Sequence, residues 1–80
     1  MIIKKVNEFQ LYIDVGKKIK ECRERIGISQ QELADRCNFE KSNVSRIEAG
    51  RTNLTLKSLF LISKALDIPL KNLFELESNL

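Results

Sequence analysis

The 80-residue sequence has no histidine and no tryptophan, and only one proline, three glycines, two cysteines and one tyrosine. Each scarcity closes off a class of answer. Without histidine, Cys22 and Cys37 cannot supply the four ligands of a structural zinc site. The commonest general base is also missing, and no glycine-rich phosphate loop or partnered nucleophile takes its place, so no enzyme, cofactor or metal is expected. Glu21/Glu24 and Glu32/Asp35 are carboxylates three apart, which suits solvated helix faces better than an acid–base pair. Few glycines and prolines exclude a low-complexity or disordered chain. The longest apolar run, Leu59 to Ile62, is four residues, far short of a membrane span. Met1 to Lys5 has no long apolar segment behind it, so no secretory leader is expected, and the expected compartment is the cytoplasm. Two cysteines permit a disulfide by arithmetic. Both fall at apolar helical positions, however, where a buried thiol packs as a small hydrophobe.

What is present points to one small helical domain. Apolar residues make up 42% of the chain, enough for a single core. The net charge of +3 is unevenly spread. Residues 1–66 hold 13 Lys+Arg against 8 Asp+Glu, whereas residues 67–80 hold one lysine against three acids. A basic body permits nucleic-acid binding without establishing it.

Apolar periodicity and turn residues then divide the chain into five helices with no strand. Val15, Ile19, Cys22 and Ile26 recur at helical spacing, so a first helix starts at Glu8 or at Asp14 and stops at Gly27. Gly16 argues mildly for a break, leaving residues 1–13 as an arm or a helix extension. Ser29-Gln30-Gln31-Glu32 reads as a capping box, with Glu32 reaching back to the serine and Ile28 and Leu33 placed as a hydrophobic staple. That second helix ends near Cys37, before Asn38. A third spans about Lys41 to Ala49, with Val44 and Ile47 inward and Gly50 closing it. Thr55 caps a fourth, which carries Leu56, Leu59, Phe60, Ile62 and Leu66. Pro69 suits the first turn of a fifth, containing Leu70, Leu73 and Phe74. Residues 76–80 are left as a tail.

The informative span is Gln30 to Arg51: two short helices joined by Asn38-Phe39-Glu40, with the small Ala34 where they must cross closely. So tight a joint sets two helices at a steep angle and leaves the second proud of the surface, able to enter a major groove. Three stretches carry a resemblance: Ile28-Ser29-Gln30-Gln31-Glu32-Leu33-Ala34; Ser42-Asn43-Val44-Ser45-Arg46-Ile47-Glu48-Ala49-Gly50; and Thr55-Leu56-Lys57-Ser58-Leu59 through Lys64-Ala65-Leu66. Across residues 14–75 this pattern resembles the Cro/C1-type helix-turn-helix family, the xenobiotic-response-element family that includes phage repressors. The resemblance implies an all-α, five-helix, lambda-repressor-like domain whose third helix reads the major groove. It places Lys41, Ser42 and Arg46 at base-reading positions. Residue chemistry agrees, because Ser42 and Arg46 are four apart on the side opposite Val44 and Ile47, and arginine can grip guanine O6 and N7 together. The resemblance also gives Gln30 a phosphate contact and pairs Arg23 with Glu48 as a structural ion pair. Asn43, Arg51, Thr52, Asn53 and Lys57 cluster beside the recognition helix, where they would hold the DNA backbone.

The chain departs from the family pattern in a few places. Glu40 stands where a serine or threonine usually caps helix three. Asn38 replaces a glycine. Leu54 and Pro69 stand where a proline and a capping serine are frequent, and Leu61 replaces a polar residue on the outer face of helix four. Leu61, Leu76 and Leu80 therefore suggest a homodimer contact through helices four and five or the tail. The expected function is sequence-specific double-stranded DNA binding by a dimeric transcriptional regulator, as a repressor on an inverted repeat. The rival is a protein-interaction module of the same fold, such as an antitoxin that binds a toxin.

Overall fold

Asn7 opens the first helix of the computed structural model, which describes residues 7–76. Its side chain accepts a hydrogen bond from the Phe9 amide at 2.7 Å, and α1 then runs Glu8–Arg25. Of the two starts the periodicity allows, the helix takes the earlier one. Gly16 does not break it. That glycine is buried, and a Cβ there would collide with the carbonyl oxygens of Ile47 and Glu48. Its smallness lets α1 lie against the end of another helix.

Ser29 caps α2 (Gln30–Cys37), its Oγ accepting from the Glu32 amide at 3.0 Å. The reciprocal half of the expected capping box does not form. The Glu32 carboxylate instead accepts from Arg36 Nε at 3.3 Å, one helical turn on. Glu40 is the N-cap of α3 (Lys41–Glu48) and makes no side-chain cap bond. Thr55 caps α4 (Leu56–Ala65) through the Ser58 amide at 3.0 Å. The expected fifth α-helix is a 3-10 helix, Leu70–Phe74, with Pro69 as its N-cap in an extended conformation rather than within the first turn. Five residues without a side-chain cap give too few i→i+4 bonds to sustain an α-helix. Among the described residues the architecture is thus four α-helices and one short 3-10 helix.

The core is a single cluster drawn from every element: Val15, Ile19 and Cys22 of α1, Leu33, Ala34 and Cys37 of α2, Val44 and Ile47 of α3, Leu59 and Ile62 of α4, and then Leu66 and Leu73. Each fully buried Leu or Ile contributes about 1.5–3 kcal/mol relative to an exposed one. Both cysteines are free and buried, and burial raises the pKa of the Cys37 thiol. α2 packs on α3 and on α4, and α1 packs on α3. α3 is thereby held from two sides and left uncovered on a third. Leu61, expected on the outer face of α4, is half-buried against the core. The exposed apolar side chains of that helix are Leu56 and Phe60, four residues apart, 71% and 50% exposed. Phe74 is exposed as well, whereas Leu76 is half-buried. Leu80 and residues 1–6 lie outside the described residues. Among the described residues no helix is long and apolar enough to cross a membrane.

Candidate nucleic-acid interface

Eight residues, Lys-Ser-Asn-Val-Ser-Arg-Ile-Glu, make α3, and their 3.6-residue period divides them cleanly. Val44, Ile47 and Glu48 are buried, whereas Lys41, Ser42, Ser45 and Arg46 are exposed and Asn43 is intermediate. The three residues expected to read bases, Lys41, Ser42 and Arg46, therefore share the uncovered side of one short helix. Its end is sharply cut. The Gly50 amide donates to Ile47 O at 3.0 Å and the Arg51 amide to Arg46 O at 2.9 Å, with Gly50 at φ 73°. This closure turns the chain at once into the segment Arg51, Thr52 and Asn53, which follows α3 directly; Arg51 and Asn53 are exposed. Lys57, in the first turn of α4, is exposed too.

Ion pairs engage some cations of the described residues and leave these outside, together with Lys17, Lys20, Lys64 and Lys71. Lys18 and Arg25 meet Glu21, Arg36 meets Glu32 and Arg23 meets Glu48. Among the described residues, Lys41, Arg46, Arg51 and Lys57 have no ion pair or side-chain hydrogen bond. Two uncompensated cations on α3, one just after it and one in the first turn of α4 leave that region open to polyanions.

Beneath that surface lies a polar network that fixes the orientation of α3. Arg23 Nε donates to Glu48 Oε2 at 2.6 Å and Nη2 donates to Glu48 Oε1 at 3.0 Å, a two-point grip between α1 and α3. The same guanidinium donates through Nη1 to Ile28 O at 2.7 Å, tying down the α1–α2 turn. Hydrogen bonding to Glu48 raises the Arg23 pKa, against burial, which lowers it. Both side chains are nearly enclosed, at 9% and 3% exposure. Gln30, expected to meet a phosphate, spends one amide hydrogen on Glu48 Oε1 at 3.0 Å. Its half-buried side chain thus joins the start of α2 to the end of α3, while its second amide hydrogen stays uncommitted. No local pattern announces this third member, because residues 30 and 48 meet only through the fold.

A groove of about 390 Å³ lies between the first turns of α1 (Glu8, Phe9, Tyr12) and the residues Gly50, Arg51, Thr52 and Asn53. The early start of α1 creates it. Gly50 has no room for a Cβ because the Ile13 main chain sits against it, so the extension buttresses the turn after α3.

A family model described as helix-turn-helix matches residues 19–73. The competence pilus inhibition repressor of Acinetobacter baylyi is 32% identical over 68 residues, which is 85% of this chain and 62% of that protein. The chain therefore spans less than two thirds of that relative's length. Among solved structures, the restriction-modification controller protein C.AhdI from Aeromonas hydrophila has a TM-score of 0.80 at 31% identity, covering 81% of this chain and 98% of that one. The controller protein C.Esp1396I, solved as a tetramer with its natural 35-base-pair operator, has a TM-score of 0.74 at 34% identity, covering 89% and 90%.

Proposed function

The chain belongs to the helix-turn-helix family, and from that premise we propose that it is a transcriptional regulator that binds double-stranded DNA by sequence, as a dimer on an inverted repeat, and represses. One observation carries the reading. The exposed side of α3 presents Lys41, Ser42 and Arg46 together, none of them engaged by the described residues, on a helix whose tilt is fixed from beneath by Arg23, Glu48 and Gln30. A polar network spent on orienting an otherwise exposed helix suits a surface that must meet another rigid surface in register.

The division of labour follows from chemistry. Arg46 offers a planar fork to guanine O6 and N7, and Lys41 and Ser42 reach adjacent base edges from the leading turn of the helix. Asn43, Arg51, Thr52, Asn53 and Lys57 hold phosphates on the flanks, and Gln30 adds its free amide hydrogen at the start of α2. That a relative is a repressor, and that another controller sits as a tetramer on its operator, supports action on an operator by more than one copy. The working compartment is then the cytoplasm, with the chromosome. The second copy would pack on the outer face of α4, where Leu56 and Phe60 are exposed and Leu61 is half-buried, and Leu76 and Leu80 would add to that contact.

Selection of bound duplexes from random DNA, repeated with Arg46→Ala, tests the proposal. The expected product is an inverted repeat, and the variant should lose preference at one base pair in each half-site, by about 1–3 kcal/mol. Affinity should also fall steeply with salt, whereas an apolar protein–protein contact of the same fold would scarcely respond. No enrichment of any duplex would end the DNA reading.

A further inference from the structure

Glu40 is out of place for a capping residue. It is the N-cap of α3, in an extended conformation (φ −77°, ψ 146°), where a short hydroxyl or carboxamide side chain would normally accept an amide hydrogen. Its own carboxylate makes no such bond. It also forms no ion pair or side-chain hydrogen bond among the described residues, although the other carboxylates around the helix-turn-helix, Glu32, Asp35 and Glu48, are all engaged. Its main chain is fixed, since Glu40 O accepts from the Asn43 and Val44 amides at 3.0 and 3.3 Å. An exposed, uncommitted carboxylate thus sits at a defined point immediately ahead of Lys41, at the leading end of the helix that meets base edges first.

Resting on the DNA reading above, we infer that Glu40 is a specificity residue that selects cytosine at one base pair of each half-site. Among phosphates a carboxylate is repelled, so its presence at this end has to be matched to a donor on the DNA. The major-groove edges of guanine and thymine offer acceptors at O6, N7 and O4, all unfavourable to it. Adenine sets its N6 donor beside the N7 acceptor. Cytosine's own major-groove edge is the N4 amino donor, from which a carboxylate accepts; the acceptors of that pair, O6 and N7, belong to the guanine opposite. Glu40 therefore acts chiefly by exclusion: it tolerates cytosine and penalises the other three bases.

The test is selection from random duplexes with the full chain, Glu40→Gln and Glu40→Ala, alongside Arg46→Ala. The unaltered protein should enrich cytosine, roughly ten-fold over other bases, at a position distinct from the one Arg46→Ala relaxes. Glu40→Gln should transfer that preference to adenine, whose N6/N7 edge matches a carboxamide, and Glu40→Ala should even it out. Cytosine preference persisting in Glu40→Ala would overturn the inference, as would an equal gain in affinity for every duplex, the signature of a plain lost charge. Either result with a clear selected site leaves the DNA reading standing; no selected site for the unaltered protein removes both. Unchanged thermal unfolding is expected for both variants, since no cap bond is lost.

Discussion

At the scale of single residues, the chain gives its best-made polar contacts to holding α3 rather than to the surface that faces outward. Arg23 and Glu48 are almost wholly enclosed, and each is fully partnered, Arg23 by Glu48 and Ile28 O, Glu48 by Arg23 and Gln30. A buried pair of this kind is costly to break from one side, because the partner left behind is an uncompensated charge. Arg23→Ala should therefore lower unfolding stability by about 3 kcal/mol or more, read from the urea midpoint at constant slope. Arg23→Met combined with Glu48→Leu should recover most of that loss, since apolar replacements of similar volume avoid desolvating a charge. DNA affinity should not recover with it, because the bonds that link Ile28 O and Gln30 to the end of α3 are gone. A double variant as weak as the single one would show that the pair is needed for stability itself. Arg23 and Glu48 were legible as partners only through family resemblance. Gln30 was legible as a polar residue at a helix start, but its bond to Glu48 was not, since nothing in the sequence records which side chains meet across eighteen positions.

At the scale of elements, what could be read in advance were the ends of the helices. Each of the four α-helices closes with the same pair of amide bonds around one left-handed residue: Gly27, Asn38, Gly50 and Asp67. In three of the four, the next residue is apolar and half-buried: Ile28, Phe39 and Ile68. Glycine and asparagine announce such a stop; aspartate does so only weakly. The packing faces were less legible. The sequence pattern puts Phe60 among the periodic apolar positions of α4 and Leu61 on its outer face; contact with the other elements instead turns Leu61 in and leaves Phe60 half exposed. Gly16 shows the same limit from the other side. Intrinsic propensity calls mid-helix glycine a defect worth about 1 kcal/mol, so Gly16→Ala ought to stabilise α1. The α1–α3 contact reverses the sign. The new methyl group would meet the Ile47 carbonyl and lie 2.9 Å from the Glu48 carbonyl oxygen, and backbone cannot rotate away. The expected net effect is a loss of about 1–2 kcal/mol, overpacking outweighing propensity. Operator affinity, measured well below the unfolding transition, should fall as well, because relief requires α3 to shift at the end where Glu48 anchors it. A more stable Gly16→Ala protein would mean that the two helices part without cost.

At the scale of the whole molecule, one domain presents one recognition helix, and a single helix of eight residues reads too few base pairs to single out a site in a genome. Pairing two copies solves this if the second recognition helix lies about one DNA turn, roughly 34 Å, from the first. The surface of the described residues offers a means. The α4 stripe of Leu56 and Phe60 is apolar and exposed, with Lys64 Nζ only 5.6 Å from the Phe60 ring centre, so the ring is flanked by charge rather than by other core residues. Phe60→Asp places a carboxylate in the middle of that stripe and removes nothing from the core. The variant should fold as before and sediment as a monomer at micromolar concentrations, where the proposed dimer of the unaltered chain should persist. Joining two half-site contacts converts the second into an intramolecular event, so losing the dimer should weaken binding to a full inverted repeat by about 10²–10⁴-fold. Binding to an isolated half-site should be nearly unchanged, and its salt dependence should keep the same slope, since every proposed phosphate contact is retained. These readouts separate a lost interface from a damaged reading head. A Phe60→Asp protein that remained dimeric would move the interface away from α4, towards the exposed Phe74 and the chain that follows it, while leaving the half-site chemistry of α3 as it stands.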